Sequence, residues 1–180
     1  MTPGSQSHLL GRIALALLLA LTAFAAGLYF GHRPPSIQAN PSGAAVQELL
    51  RLELPTAEGT PQALSQWQGQ WRIINYWATW CPPCREEMPE FSRLQKEYRA
   101  KGVQFIGIAL DSSENVAAFS QATPAAYPLL VASPSAIRNL KALGNEQGAL
   151  PYTLIIDPKG TVRETRLGSL SAAELRTMLP

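Results

Sequence analysis

The chain of 180 residues is poor in cysteine and histidine, and this shortage disfavours several kinds of site. It has two cysteines, Cys81 and Cys84, and two histidines, His8 and His32. Because both histidines lie near the N-terminus, the rest of the chain cannot build a Cys–His or Ser–His catalytic pair. A zinc site is disfavoured as well, since two thiolates need two further ligands, usually cysteine or histidine. We expect neither a metal nor another cofactor.

Acidic side chains are absent from the first 47 residues, because all 13 of them lie at or beyond Glu48. Arg12 and Arg33 are the basic side chains of the first 33 positions, and the remaining 13 basic residues balance the 13 acidic ones. The greater part of the chain therefore has no net charge. Nucleic-acid binding relies on clusters of Lys and Arg, so we expect no nucleic-acid partner.

Residues 13–30 form an uncharged apolar run near the lower length limit for a membrane-spanning helix. Two interpretations are open. Residues 13–31 are an uncleaved transmembrane signal-anchor, or they belong to a signal peptide cleaved after Ala23-Phe24-Ala25. The anchor is favoured because the run stays apolar beyond that cleavage site. Both interpretations export the rest of the chain to a compartment where disulfides persist.

The segments on either side of this run complete the predicted domain organisation. Residues 1–12 are predicted to be a cytoplasmic N-terminus. Residues 32–47 are rich in proline and small polar side chains, which predicts a flexible linker. Residues 48–180 are predicted to be one folded domain.

The predicted domain alternates between strand and helix patterns. Strand patterns occur at Leu52–Leu54, Arg72–Trp77, Val103–Leu110, Pro128–Val131, Tyr152–Ile156 and Thr161–Arg166. Helical patterns occur at Leu64–Trp67, from Cys81 to Gly102, at Asn115–Gln121, at Ser135–Leu143 and at Ser171–Met178. The alternation predicts an α/β fold whose central sheet is covered by helices on both faces.

The cysteines stand in Trp80-Cys81-Pro82-Pro83-Cys84, between a predicted strand and a predicted helix. A C-x-x-C beside a βαβ pattern is typical of a thioredoxin-like redox motif. An N-cap position for Cys81 would turn free backbone N–H groups and the helix dipole toward its sulfur, a placement that lowers the pKa of a thiol. We expect Cys81 to be the nucleophile, exposed at the helix tip, and Cys84 to resolve the mixed disulfide.

The two prolines between the cysteines bear on the redox direction. Pro82 and Pro83 have no backbone N–H to donate to a thiolate, and no histidine lies between the cysteines. We infer a thiolate less stabilised than in strongly oxidising relatives, which favours a reductant. A purely structural disulfide is disfavoured, because so short a loop constrains little chain entropy.

The segment from Asn75 to Pro89, NYWATWCPPCREEMP, resembles the active site of the TlpA/ResA/CcmG group, and residues 148–157, GALPYTLIID, extend the likeness. This group consists of membrane-anchored, exported thiol–disulfide reductases of the thioredoxin superfamily. The resemblance implies a thioredoxin-like fold with a central mixed sheet and a redox disulfide between Cys81 and Cys84. It also implies a bacterial inner-membrane anchor, a periplasmic catalytic domain, a membrane thiol electron donor, and exported disulfide substrates such as apocytochrome c.

The resemblance gives roles to further residues. Pro151 matches a proline with a cis peptide bond beside the Cys pair, so that Leu150 and Pro151 would form the wall on which a substrate strand pairs. Trp80 matches a partly exposed aromatic contact next to the nucleophile. A strand-initiating trans proline and a core tryptophan are the alternatives.

Asn75 is a departure from thioredoxin itself, which has a buried acid at this position. An amide cannot take a proton from Cys84, so another group must do so. Glu87 is the candidate, because it lies three residues after Cys84 on the predicted helix and matches a glutamate of the ResA-like branch. A solvated surface carboxylate is the alternative for Glu87.

Other functions fit the motif less well. An exported oxidase or isomerase shares the cysteines but not the direction of electron flow. A metal chaperone of thioredoxin fold needs histidine or further thiols beside the pair. A peroxiredoxin is disfavoured, because Thr79 lies one position too close to Cys81 for a P-x-x-x-T-x-x-C pattern.

Overall fold

The computed structural model describes Arg12 and residues 41–180. Apart from Arg12, the predicted cytoplasmic segment, the predicted anchor at 13–31 and linker residues 32–40 lie outside the described residues. Within the part that is described, no helix combines the length and the apolar character needed to cross a membrane.

The described chain folds into alternating helices and strands. The helices are α1 (Gly43–Arg51), α2 (Pro82–Tyr98), α3 (Ser113–Ala122), α4 (Pro134–Ala142) and α5 (Ala172–Met178). The strands are β1 (Glu53–Pro55), β2 (Pro61–Ala63), β3 (Trp71–Trp77), β4 (Val103–Ala109), β5 (Leu129–Val131), β6 (Tyr152–Ile156) and β7 (Val162–Leu167). Two 3-10 turns, Leu64–Trp67 and Arg99–Lys101, precede β3 and β4.

The central sheet has five strands in the order β5-β4-β3-β6-β7. Strand β3 is parallel to β4 and antiparallel to β6, and β4 is parallel to β5. Parallel neighbours need a crossover connection, which α2 supplies between β3 and β4. The predicted mixed sheet flanked by helices is confirmed, and β3 lies at its centre.

Side chains of β3 alternate between two apolar clusters on opposite faces of the sheet. Ile74 packs in the cluster formed with α1 and α4, whereas Ile73 and Trp77 pack in the cluster that contains α2 and both cysteines. Because successive strand residues point to opposite faces, Asn75 shares the face of Trp77 and Arg72 shares that of Ile74. Asn75 and Arg72 therefore face opposite sides of the sheet.

Helix α1 corrects the predicted linker. The prediction of a flexible linker up to residue 47 is wrong for residues 43–47, which form the first half of α1. The Ser42 side chain caps this helix by accepting a hydrogen bond from the Ala45 N–H at 3.1 Å. Ala45 and Val46 are buried against the sheet, so burial of an apolar stripe outweighs the small-residue composition.

The predicted edge strand at Leu52–Leu54 is also corrected. Strand β1 spans Glu53–Pro55 and pairs with β2 in a separate two-stranded antiparallel sheet. One bridge from Thr56 to Leu130 joins this region to β5. Strand β2 went unpredicted because it begins with Pro61, a residue that usually argues against a strand.

Candidate functional site

The cysteines lie where β3 leads into α2, joined by a disulfide with their Cα atoms 5.4 Å apart. Cys81 is the N-cap of α2 and Pro82 is the first helical residue, as predicted. The expected exposure of Cys81 is wrong for this oxidised state. Its side chain is 4% exposed because it packs in the apolar cluster of the α2 face, and Cys84 is fully buried.

Trp80 is the most exposed large apolar side chain of the described residues, with 67% of its surface accessible beside the buried Cys81. The alternative of a core tryptophan is therefore wrong. Exposure of an aromatic ring next to a reactive sulfur suits a contact for another protein. Pro82 and Pro83 continue this surface, being exposed and half-buried respectively.

The peptide bond between Leu150 and Pro151 is cis, as the resemblance implied. Pro151 is buried immediately before β6, and its carbonyl accepts a hydrogen bond from Gly168 N–H at 2.9 Å. Leu150 packs against both apolar clusters, including the one that contains the cysteines. The trans alternative is therefore wrong, whereas the substrate-binding role of Leu150 and Pro151 stays a prediction.

Glu87 is a buried carboxylate, with 5% of its surface exposed, so the surface alternative is wrong. Asn75 Nδ2 donates to its Oε1 at 2.9 Å, and Leu170 N–H donates to its Oε2 at 3.0 Å. Burial raises the pKa of Glu87 to about 7, and the two hydrogen bonds offset part of this effect because they favour the charged form. The group can therefore exchange a proton near neutral pH.

Asn75 holds Glu87 in place from the central strand. Its Nδ2 donates a second hydrogen bond to Thr153 Oγ1 at 3.0 Å, because Asn75 and Thr153 are register partners in the β3–β6 pairing. Its Oδ1 is buried without a hydrogen-bond partner among the described residues. One hydrogen bond from Asn75 Nδ2 therefore holds the Glu87 carboxylate, and the other holds the Asn75 amide against Thr153.

Two members of this cluster were not predicted from the sequence. Thr153 stands in the quoted GALPYTLIID segment, but its position opposite Asn75 follows from strand register. Leu170 lies between β7 and α5, and its contribution is a backbone N–H that carries no sequence signal.

Asp111 fixes the loop that precedes the cysteines. Its Oδ2 accepts hydrogen bonds from both the backbone N–H and the hydroxyl of Thr79. The Thr79 hydroxyl is thus directed at the loop after β4. This role of Asp111 was not predicted from the sequence.

The arrangement combines the parts needed for thiol–disulfide exchange: a cysteine pair at a helix N-terminus and a proton-exchanging carboxylate one turn further along. Residues at i and i+3 of a helix have Cβ atoms about 5–6 Å apart, so Glu87 and Cys84 are neighbours on the same face of α2. In the described part of the chain, no group of three His, Cys, Asp or Glu side chains is placed to hold a metal ion.

Comparison with known proteins agrees with this chemistry. A profile of the AhpC/TSA family matches residues 46–165. The thioredoxin-like protein YneN of Bacillus subtilis is 31% identical over 74% of this chain and 77% of its own length. The thiol-disulfide oxidoreductase ResA of Bacillus cereus is 31% identical over 68% of this chain and 69% of its own.

A solved structure extends the likeness to the fold. The thioredoxin-related protein from Neisseria meningitidis serogroup B superposes with a TM-score of 0.62 and is 39% identical, over 69% of this chain and 94% of that protein. The shared fold, the Cys81–Cys84 pair and the ResA likeness lead to one conclusion. The chain belongs to the AhpC/TSA family of thioredoxin-like proteins and is a thiol–disulfide oxidoreductase related to ResA.

Proposed function

We propose that this oxidoreductase is an exported, membrane-tethered reductase of disulfides in other exported proteins, with apocytochrome c as one client. The observation that carries the proposal is the buried carboxyl of Glu87. It lies one helical turn from the resolving cysteine, and its pKa is about 7. Such a group can accept the proton that Cys84 must lose before it attacks.

The reaction transfers two electrons from the dithiol to the client. The Cys81 thiolate attacks one sulfur of the client disulfide, forming a mixed disulfide and releasing one client thiolate. Cys84 gives its proton to Glu87 and attacks the Cys81 sulfur. The second client thiolate leaves, and the oxidised Cys81–Cys84 pair described above is the product.

Two features support the reductive direction. Pro82 and Pro83 lie beside the pair and offer no backbone N–H to a thiolate. The predicted domain contains no histidine that could stabilise one. A less stabilised thiolate makes the dithiol easier to oxidise, and therefore a better reductant.

The location rests on the N-terminal sequence. The uncharged run at 13–30 supports an inner-membrane signal-anchor that places the catalytic domain in the periplasm. Because no reducing glutathione pool is expected there, a membrane thiol electron donor must return the pair to the dithiol. Trp80, Leu150 and Pro151 are the proposed contacts for the client chain.

A redox equilibrium of the full chain against glutathione tests the direction. We expect a reduction potential nearer to that of thioredoxin, about −270 mV, than to that of the oxidase DsbA, about −120 mV. A potential close to the DsbA value would favour the exported oxidase or isomerase instead.

The client can be captured with a resolving-cysteine variant in the native cell. Cys84→Ala should leave clients attached to Cys81 as mixed disulfides, because no second thiol remains to release them. Mass spectrometry then identifies the partners, and the double variant Cys81→Ala with Cys84→Ala is the matched control. Recovery of no exported protein specific to the single variant would contradict the proposal.

A further inference from the structure

A second polar site lies at the other end of the central strand. A pocket of about 200 Å³ opens between α1, the Leu64–Trp67 turn and the turn that follows β6. It adjoins the start of β3, whereas Cys81 follows its end. At about 3.3 Å per residue, the strand separates the two places by roughly 20 Å. The proposed disulfide chemistry does not use this pocket.

The pocket is lined by positively charged side chains. Three cationic side chains line it, and the described lining residues include no Asp or Glu. The cations are Arg51, Arg72 and Lys159, and the polar groups beside them belong to Gln47, Ser65 and Gln68. A concave surface of this kind attracts anions, because neighbouring positive charges add their potentials within it.

Arg72 is the unusual member of this set. Its side chain is 2% exposed, and its Nε has no hydrogen-bond partner among the described residues. A guanidinium keeps its charge in proteins, and burial of a charge without hydrogen bonds is costly. Buried polar groups are nearly always satisfied, so an unsatisfied Nε on a buried arginine that lines a pocket indicates a missing partner.

Asp157 is the nearby opposite charge, but its Oδ1 already accepts two hydrogen bonds from the turn. Its Oδ1 accepts hydrogen bonds from Lys159 N–H and Thr161 N–H, each at 2.9 Å. Its Oδ2 lies 3.8 Å from the guanidinium of Arg163. Asp157 thus acts on Arg72 through its charge while its lone pairs hold the turn together.

Two nitrogen donors converge beside Gly160. A methyl carbon added to Gly160 would lie 3.7 Å from Leu50 Cδ1, 3.8 Å from Arg72 Nη2 and 3.8 Å from Gln47 Nε2. Gly160 has a φ of +86°, a conformation that glycine adopts at little cost. The absent side chain leaves this part of the pocket open between the two donors.

We propose that this pocket binds a phosphate group, with Arg72 as the buried anchor and Arg51 and Lys159 as the cations at the entrance. The planar guanidinium matches phosphate oxygens and can bind two of them at once. A water molecule occupies about 30 Å³ in the liquid, so the volume accommodates a phosphate group together with several waters. The phosphate belongs to a free anion or to a lipid headgroup.

The test follows the Arg72 side chain directly by NMR, in the full chain held in a neutral detergent. Inorganic phosphate should move the Arg72 Nε–Hε cross-peak, while potassium chloride at equal ionic strength should not. In a second arm, nanodiscs of phosphatidylcholine with and without phosphatidylglycerol are compared. Movement with inorganic phosphate assigns the free anion, and movement only with phosphatidylglycerol assigns a lipid headgroup.

Variants at the entrance keep the test independent of the buried arginine. Arg51→Gln with Lys159→Gln changes two exposed residues and should weaken phosphate binding about tenfold or more. Lys96→Gln with Arg99→Gln removes two exposed cations from the α2 side and should leave binding unchanged. Disulfide reduction by both double variants should match that of the unmodified chain.

Three results would overturn the proposal. The first is an Arg72 signal that responds neither to phosphate nor to phosphatidylglycerol. The second is an equal response to chloride, which would indicate screening of charge. The third is a phosphate affinity that Arg51→Gln with Lys159→Gln leaves unchanged, because the entrance cations would then take no part in binding.

Discussion

Two buried ionisable groups lie near opposite ends of β3, and they differ in whether the protein supplies their hydrogen-bond partners. At one end Asn75, on the strand, fixes Glu87 of α2, which has a hydrogen-bond donor for each carboxylate oxygen. At the other end the Nε of Arg72 has no partner in the described chain. The first group is supported by the protein and titrates near neutral pH, whereas the second keeps its charge and faces a pocket. The proposed proton transfer and the proposed anion site therefore lie at opposite ends of the same strand.

Substitution of Cys81 should have the largest effect on the rate of disulfide reduction. It distinguishes the redox end of β3 from the pocket end. Cys81→Ala should abolish reduction of a model disulfide substrate, because the thiol that remains, Cys84, is fully buried. Arg51→Gln with Lys159→Gln should leave the same rate unchanged. Turnover assays on the full chain compare them, and loss of activity in the pocket variant would show that the two ends are coupled.

The stability of the oxidised chain should depend on pH through Glu87. Its pKa is about 7 in the fold, against 4.5 for the ordinary group, so the native state binds more protons between these values. Stability is therefore fully present below about pH 4.5 and falls as pH rises through 7, by about 3 kcal/mol in total. Denaturant unfolding at pH 5 and pH 8 measures this difference.

Glutamine variants at two adjacent positions assign the pH effect. Glu87→Gln should lack this contribution, whereas Glu86→Gln changes an exposed neighbour and should keep it. An identical slope in both variants would mean that a group other than Glu87 causes it.

The same pair of variants tests the proton transfer. Glu87→Gln should slow release of the client from Cys81 by about a hundredfold near pH 8, where the native carboxylate is ionised and can accept the Cys84 proton. The difference should shrink below pH 6, because the native group is then protonated. Stopped-flow kinetics against pH, with Glu86→Gln as the control, measure it. Superimposable profiles would exclude a proton-transfer role.

Asn75→Ala should have the smallest effect. Removing its hydrogen bond takes away an interaction that favours the charged carboxylate, so the pKa of Glu87 should rise further. We expect the midpoint of the pH–rate profile to move upward by less than about one unit. A downward shift would show that Asn75 does not stabilise the ionised form.

Local chemistry made much of the redox end predictable. The spacing of Cys81 and Cys84 and the position of Pro82 placed the pair at a helix N-terminus. The likeness to the ResA-like branch identified Glu87, and its three-residue offset from Cys84 agreed with that choice. Burial of Cys81 could not be predicted in this way, since it depends on apolar side chains from several elements.

The Arg72 end was beyond the reach of sequence patterns. Arg72 stands at the start of a strand pattern, where a charged residue usually faces solvent. Its burial depends on α1, whereas the proline and small polar residues of 32–47 favour a linker over the first half of that helix. The pocket needs α1, β3 and the turn at Gly160 together, and no local pattern specifies that contact.

The buried carboxyl of Glu87, beside the resolving cysteine, is expected to exchange protons near neutral pH. A ¹³C NMR titration of the Glu87 carboxyl in the oxidised full chain measures this directly. We predict a midpoint of about 7, which Glu86→Gln leaves in place. A midpoint near the ordinary value of 4.5 would exclude proton exchange by Glu87 near neutral pH.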